Sequence, residues 1–382
     1  MSRRSVPEPP RHAQSPVGPS NRSLSVVSLA LALILFAVVG IALNLASPDP
    51  HSTAAELDPP ATSSSTRPGP HVSVVTLANH ATLAKKPPAL HHKKPRIPRS
   101  FVKVSRGTAQ ATSFNVVSFN ALGFSHTARG GDRRGWAPGT ARMRAAVGIL
   151  QAQDTSVVGF QEFQGPQYAT FHAMAPDFQI YPGWSMGSQP LQNSIAWRTS
   201  DWELVKAQTL PIPYFYNRVA MPQVLLRNVH TGREVWFGNF HNPADKFHPA
   251  QGARVAATAV EAAATRGFVA AGYPVILTGD MNERESYFCR ISTLAPLHGA
   301  DGAYRDSAGC HTVSPTPVDW ITGTTSVQFS SYLRDTSTTS RRISDHFLIK
   351  ATATLPPERS LKRCVPAPHD PTAVYCPPKG QH

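Results

Sequence analysis

Pro274-Val275-Ile276-Leu277-Thr278-Gly279-Asp280-Met281-Asn282 is the stretch from which the fold can be read. Val275–Thr278 is an apolar run of strand length, β-branched and bounded by Pro and Gly, as expected of a strand covered on both faces. It ends on an acid and an amide two residues apart. The same arrangement recurs along the chain. Asn120 follows Val116-Val117-Ser118-Phe119, and Gln161-Glu162 follows Val157-Val158-Gly159-Phe160. His241-Asn242 follows Trp236-Phe237-Gly238-Asn239-Phe240, Asp319 lies in Val318-Asp319-Trp320-Ile321, and Asp345-His346 precedes Phe347-Leu348-Ile349. Any one of these is the polar end of a strand or an ordinary turn. Together they describe strands that end on one rim and carry carboxylates, amides and imidazoles into a single cleft.

Outward from that core, Ser113–Phe119 and Ser156–Phe160 read as buried strands. Thr140–Gln151 reads as a helix, with apolar Met143, Val147, Ile149 and Leu150 at helical spacing. Met221–Asn228 and Glu234–His241 flank His230-Thr231-Gly232-Arg233 as a hairpin. Pro249–Ala271 is an Ala-rich helix ended by Gly272, and Val318–Thr322 and His346–Thr354 close the series as strands. Strands and helices without strict βαβ alternation point to the α+β class, with sheets covered by helices.

The chain has 382 residues and a net charge of +14, from 37 Lys and Arg against 23 Asp and Glu, with 36 Pro. The charge is unevenly placed. Residues 111–355 hold 20 Lys and Arg against 17 Asp and Glu, a net of +3, so the globular part is close to neutral. Charge alone is therefore weak support for nucleic-acid binding. Five segments follow: a basic tail (1–22), an apolar segment (23–47), a Pro/Ser/Lys-rich linker (48–110), a globular domain (111–355) and a Pro-rich tail (356–382). Leu24–Ala46 runs 23 residues without a charge, enough to span a bilayer as a helix. Arg3, Arg4, Arg11 and Arg22 before it place the N-terminus in the cytoplasm and the domain outside. Cleavage as a signal peptide is the alternative, and leaves the domain outside as well. Cys289, Cys310, Cys364 and Cys376 all follow the apolar segment. They allow three disulfide pairings, of which Cys289–Cys310 with Cys364–Cys376 is the simplest.

The set Ser118-Phe119-Asn120, Gly159-Phe160-Gln161-Glu162, Asn193-Ser194-Ile195-Ala196-Trp197, Phe240-His241-Asn242, Gly279-Asp280-Met281-Asn282, Val318-Asp319-Trp320 and Ser344-Asp345-His346 resembles the endonuclease/exonuclease/phosphatase superfamily, to which deoxyribonuclease I belongs. The resemblance spans about residues 112–354. It implies a four-layer α/β/β/α sandwich of two mixed sheets flanked by helices. It also implies Mg²⁺, with Mn²⁺ or Ca²⁺ as alternatives, held by Glu162, Asn120 and Asp345, hard oxygen donors of the kind Mg²⁺ prefers. His346 is then a candidate base oriented by Asp319, in competition with Asp280, while Asn282 and His241 serve the phosphoryl oxygens and His241 the leaving alkoxide. Asn193 resembles the family's supporting amide, and Arg218 stands where related proteins carry a phosphate-contacting Arg. Arg133 and Arg134, with Trp136 in the same loop, are suited to clamping a strand.

Two departures favour secreted members over DNA-repair enzymes: Leu122 replaces an acidic residue, and His241 a Tyr. The expectation is a monomeric, membrane-anchored phosphodiester hydrolase acting on nucleic acid. A phospholipid or phosphoinositide hydrolase is the second reading, with the loop around Pro211–Tyr216 facing the membrane. A non-catalytic module tethered to the envelope is the third.

Overall fold

The computed structural model describes residues 96–246 and 248–378. The basic tail, the segment 23–47 and most of the linker lie outside the described residues. Among the described residues no helix is long and apolar enough to cross a membrane.

Two six-stranded sheets form the centre. In the first the order is Gln328–Asp335, Leu348–Leu355, Thr112–Asn120, Thr155–Gln161, Ile195–Arg198, Phe178–Tyr181. In the second it is Leu297–Gly299, Asp319–Thr324, Val275–Asp280, Glu234–His241, Asn217–Asn228, Trp202–Tyr214. Each sheet is antiparallel except for one central parallel pair, Thr112–Asn120 with Thr155–Gln161 and Glu234–His241 with Val275–Asp280. Those four strands are covered on both faces, which explains their near-continuous apolar runs.

Three apolar clusters define the layers. Phe114, Val116, Trp197, Phe237 and Ile276 pack between the sheets. Helix Gly139–Ala152 lays Met143, Ala146, Val147 and Leu150 on the outside of the first sheet. Helices Gln251–Ala270 and Glu285–Leu294 cover the second. The result is helix, sheet, sheet, helix, the sandwich expected of the sequence. Gly159 marks a close approach of the two sheets: a Cβ there would lie 2.0 Å from Thr278 Oγ1 and 2.4 Å from Asn239 Oδ1.

Several boundaries move for identifiable reasons. The Pro211–Tyr216 loop is in fact the end of a long hairpin, Trp202–Tyr214 paired with Asn217–Asn228. Pro211 and Pro213 are tolerated because their strand is the sheet's edge. The last sandwich strand starts at Leu348 and not at His346. His346 is instead tied into a loop, its N–H donating to Ser344 Oγ (3.1 Å) and its carbonyl accepting from Thr338 Oγ1 (2.8 Å). Order also extends past both ends of 111–355. Val102–Ser105 pairs with Ala373–Cys376, which pairs with Val365–Pro366, in a separate three-stranded sheet. The disulfides are Cys289–Cys310 and Cys364–Cys376, the neighbour pairing.

Candidate active site

Strand register assembles the cleft. Asn120 lies beside Gln161 across the first parallel pair, which puts Glu162 one residue past the strand end. In the second sheet His241 lies beside Asp280, and Asp280 beside Asp319. All these ends are on one rim. Leu122, Glu162 and Asn282, each just past a strand end, have φ of +48°, +54° and +50°. That left-handed backbone is uncommon for bulky or charged residues and clusters at functional sites.

Asn120 links the sheets. Its Nδ2 donates to Glu162 Oε1 (3.0 Å) and Asp280 Oδ2 (3.1 Å), while its Oδ1 accepts from the Leu122 N–H (3.0 Å). Asp280 Oδ1 accepts from the Asn282 N–H at 2.9 Å, and Asn282 Nδ2 donates to the Asn242 carbonyl at 2.8 Å. Two imidazoles flank Asp280 Oδ2, His241 Nε2 at 3.6 Å and His346 Nε2 at 3.7 Å. Both oxygens of Asp319 lie 3.0 Å from His346 Nδ1, which fixes the proton on that nitrogen and the orientation of the ring. Burial opposes a charged His346, but Asp319 and Asp280 outweigh it and hold its pKa well above the ordinary histidine value. Burial also raises the Asp319 carboxyl, with His346 working against the rise.

Glu162 is one of two partly exposed acids. Burial would raise its pKa, yet the hydrogen bond from His126, the field of His241 and the donors Asn120 and Gly123 hold it well below the carboxylate range. Asp345 stands apart from that chain, its Oδ2 taken by Arg133 Nη2 at 2.5 Å.

One cluster among the described residues has the spacing of a cation site, and two further acids have oxygens of the right kind. Ligand atoms of Asp280, Asp319 and His346 all lie within 4.8 Å of one another. There, however, the imidazole already sits between the two carboxylates with a nitrogen turned to each. Glu162 and Asp345 offer hard oxygens partnered near the surface, Oε2 by His126 and Oδ2 by Arg133, whereas Asn120 turns its Nδ2 to Glu162 and keeps its Oδ1 on the Leu122 N–H. That donor set fits Mg²⁺ and its retained waters.

Of the remaining expected residues, Asn193 is buried and its carbonyl accepts from Asn239 Nδ2 at 2.8 Å, in the polar packing between the sheets. Arg218 is not brought to the cluster. It lies exposed near the hairpin tip, with Nη1 on the Pro211 carbonyl at 2.8 Å. Two residues that matter, His126 and Arg142, escape the sequence reading, and a third, Arg133, has a partner it does not show. His126 Nε2 lies 3.3 Å from Glu162 Oε2 and its Nδ1 2.6 Å from Asp132 Oδ1. Arg133 was noted for nucleic-acid contact, not for pairing with Asp345. Arg142, 2% exposed, donates to the carbonyls of Ala121 (2.8 Å), Leu122 (2.6 Å), Gly123 (3.2 Å) and Ile343 (2.9 Å). It pins the turn after Asn120 to the loop before Asp345, and burial lowers its pKa to about 10. The one available signal was an Arg near the start of an otherwise apolar helix stripe.

No family model and no curated protein matches the sequence. Solved structures do. An endonuclease/exonuclease/phosphatase from Bacteroides vulgatus is 17% identical, covering 64% of this chain and 99% of its own, with a TM-score of 0.51. An endonuclease/exonuclease/phosphatase family protein from Bacteroides thetaiotaomicron is 19% identical over 66% and 98%, TM-score 0.49. The human Nocturnin catalytic domain is 15% identical over 68% and 99%, TM-score 0.47. The Bacteroides vulgatus likeness, spanning nearly all of that chain, agrees with the topology described above: this chain has the fold of the endonuclease/exonuclease/phosphatase proteins.

Proposed function

We propose that this chain is an extracytoplasmic, metal-dependent phosphodiester hydrolase, anchored by the segment 23–47, with nucleic acid as its substrate. The carrying observation is the convergence of Asn120, Glu162, His241, Asp280, Asn282, Asp319 and His346 in one hydrogen-bonded and ion-paired chain at the rim. The two disulfides, with no free cysteine among the described residues, support an oxidising compartment.

Glu162, Asp345 and Asn120 are the residues that would hold Mg²⁺, which when bound neutralises charge on the phosphoryl oxygens. The chain's own groups supply the rest. Asp280, fixed by donors on both oxygens, takes a proton from the attacking water as its oxygen bonds to phosphorus. Asn282 and His346 donate to the phosphoryl oxygens, where charge builds in the transition state. The P–O ester bond breaks, and His241 protonates the departing alkoxide. The products are an alcohol and a phosphomonoester.

A lipid phosphodiester is the second reading. It is favoured by the hairpin tip, where Tyr216 is 92% exposed beside Phe215 and His248. The test is hydrolysis of supercoiled plasmid beside sphingomyelin and phosphoinositide vesicles, with and without EDTA. Glu162→Ala and His346→Ala serve as controls on residues 96–382 expressed in an oxidising host. Plasmid nicking lost in both variants is expected. Headgroup release with intact plasmid moves the enzyme to the lipid branch, and metal-independent turnover overturns the mechanism.

A further inference from the structure

The rim beside Glu162 carries an aromatic side chain that the hydrolytic reading does not use. Strand Phe178–Tyr181 sets its place: Tyr181 lies beside Ile195, and Ile195 beside Gly159. The chain therefore leaves that strand, through Pro182-Gly183, on the same rim as Gln161 and Glu162. Two strand spacings, about 10 Å, separate it from them. The crossing is tied down. Gly183 N–H donates to Ser194 Oγ (3.2 Å), Phe160 N–H to the Ser194 carbonyl (2.9 Å) and Phe163 N–H to the Gln192 carbonyl (3.0 Å). Trp184 comes next, and it is 52% exposed.

Apolar residues scattered singly over a surface need no explanation, but this one has a built seat. A Cβ on Gly165, three residues after Glu162, would lie 2.6 Å from Trp184 Cζ2 and 3.0 Å from its Cη2. The outer edge of the indole thus occupies the space that a side chain there would fill. Tyr168, one turn on in helix Gly165–Met174, meets the indole edge-to-face, with centroids 6.3 Å apart at 78°. Tyr168 is itself stacked on His172 at 5.9 Å. The ring is held by its edge while half of the residue stays open. The surroundings suit an anion. Asp177 is the sole acid between Phe163 and Ser200, and it precedes the end of strand Phe178–Tyr181 that lies away from the rim. Around the indole Ser185, Gly187, Ser188 and Gln189 are exposed, and Met186 adds one apolar side chain. That is not the broad apolar patch of a membrane-facing surface.

We infer that Trp184 is a stacking platform for an unpaired base of the bound strand, so that the site takes single-stranded or locally opened nucleic acid. Every base has a π face, and an indole fixed in advance receives it without having to be ordered on binding. A separation of about 10 Å puts that base within about three nucleotides of the reacting phosphate in a stacked strand. Supercoiled plasmid stays a substrate on this account, since negative supercoiling favours strand opening. The inference rests on the nucleic-acid reading of the site and narrows its substrate class.

The test uses the full chain in detergent micelles and compares wild type with Trp184→Ala, Trp184→Leu, Trp184→Phe and Gly165→Ala. The probes are a single-stranded oligonucleotide, a blunt duplex of the same sequence, and strands carrying one abasic position at a time. Binding is read by fluorescence anisotropy in EDTA, without turnover, and hydrolysis is read with Mg²⁺. Wild type should bind the single strand about tenfold more tightly than the duplex. Ala and Leu should each weaken single-strand binding about tenfold, and Phe less than about threefold, because Leu keeps an apolar contact but only Phe keeps a π face. Gly165→Ala should unseat the indole, weaken binding by roughly threefold, and add nothing to Trp184→Ala. An abasic position at the platform should erase the difference between wild type and Trp184→Ala. During turnover the loss should fall mainly on KM. Equal affinity of wild type and Trp184→Ala, or a Leu variant that matches wild type, overturns the inference even when the oligonucleotide is cleaved. Binding that Trp184→Ala loses, in a wild type that hydrolyses no oligonucleotide, breaks only the reading of the catalytic groups. A wild type that neither binds nor cleaves the strand overturns both. Headgroup release from sphingomyelin or phosphoinositide micelles that falls in Trp184→Ala, with oligonucleotide binding unchanged, makes the indole a lipid contact and overturns the inference as well.

Discussion

On the rim of the first sheet the acids remain partly open, and cations from a surface loop meet them. Glu162 and Asp345 keep 23% and 28% of their side-chain surface, opposite His126 and Arg133. On the rim of the second sheet Asp280 and Asp319 keep 2% and 6%, and their partners are ring nitrogens and amides. Exposed carboxylates with replaceable partners suit a ligand set that exchanges water and ions. Buried carboxylates with fixed partners suit proton handling, because a preset geometry need not reorganise during reaction. The same residue type thus serves two purposes, and the surroundings decide which.

The largest test of that division is a pair of substitutions. Asp280→Asn should cost about 10³-fold or more in kcat, within the range of a lost base, and leave Mg²⁺ affinity by calorimetry nearly unchanged. Glu162→Ala should abolish both. Equal weakening of Mg²⁺ binding by the two would erase the distinction and place the ion among Asp280, Asp319 and His346.

Arg142 comes next. It is the buried support of the first rim, and Arg142→Leu strands four carbonyls while removing the cation. The expected loss is about 3 kcal/mol, seen as a fall of roughly 10 °C in Tm by scanning calorimetry. A change of under 2 °C would mean that the turn after Asn120 holds itself.

What the sequence disclosed and what it hid divide along related lines. Strand ends carrying Asn120, Glu162, His241 and Asp280 were readable because two central parallel pairs impose apolar runs, and the polar residue marks where each run stops. Pairings made across the fold were not. Arg133 meets Asp345 over a separation of 212 residues, and nothing local to either encodes the contact. The long hairpin was missed because Pro211 and Pro213 argue against a central strand and are silent about an edge. Glu261, fully buried on the inner face of helix Gln251–Ala270, was hidden by its setting, since an acid in an Ala-rich helix ordinarily faces solvent.

That buried acid, to which Tyr287 Oη donates at 3.1 Å, should make stability respond to pH. Glu261 has a folded pKa of about 7 against an ordinary value of 4.5, so between those values the folded state binds more protons than the unfolded one. Stability from this group is therefore full below pH 4.5 and falls as pH rises through about 7, by at most roughly 3 kcal/mol. Urea unfolding across that window should show the slope in wild type and its loss in Glu261→Gln. An identical slope in both would assign it to another group.

The smallest effect bears on how replaceable the first rim's partners are. Arg133 keeps 37% of its side-chain surface and Asp345 28%, and a pair that exposed contributes no more than about 1 kcal/mol. Its loss should hardly move Tm. If Asp345 belongs to the ligand set, however, Arg133 competes with the ion for Oδ2, and Arg133→Gln should tighten Mg²⁺ binding a few-fold by calorimetry. The same guanidinium, once released, stands at the mouth as a cation for a phosphate, so the variant should raise KM for plasmid while leaving kcat within about threefold. The two shifts have opposite signs, and a purely structural salt bridge would produce neither. Weaker metal binding in Arg133→Gln would show that the arginine holds Asp345 in place for the ion, making this rim as fixed as the other.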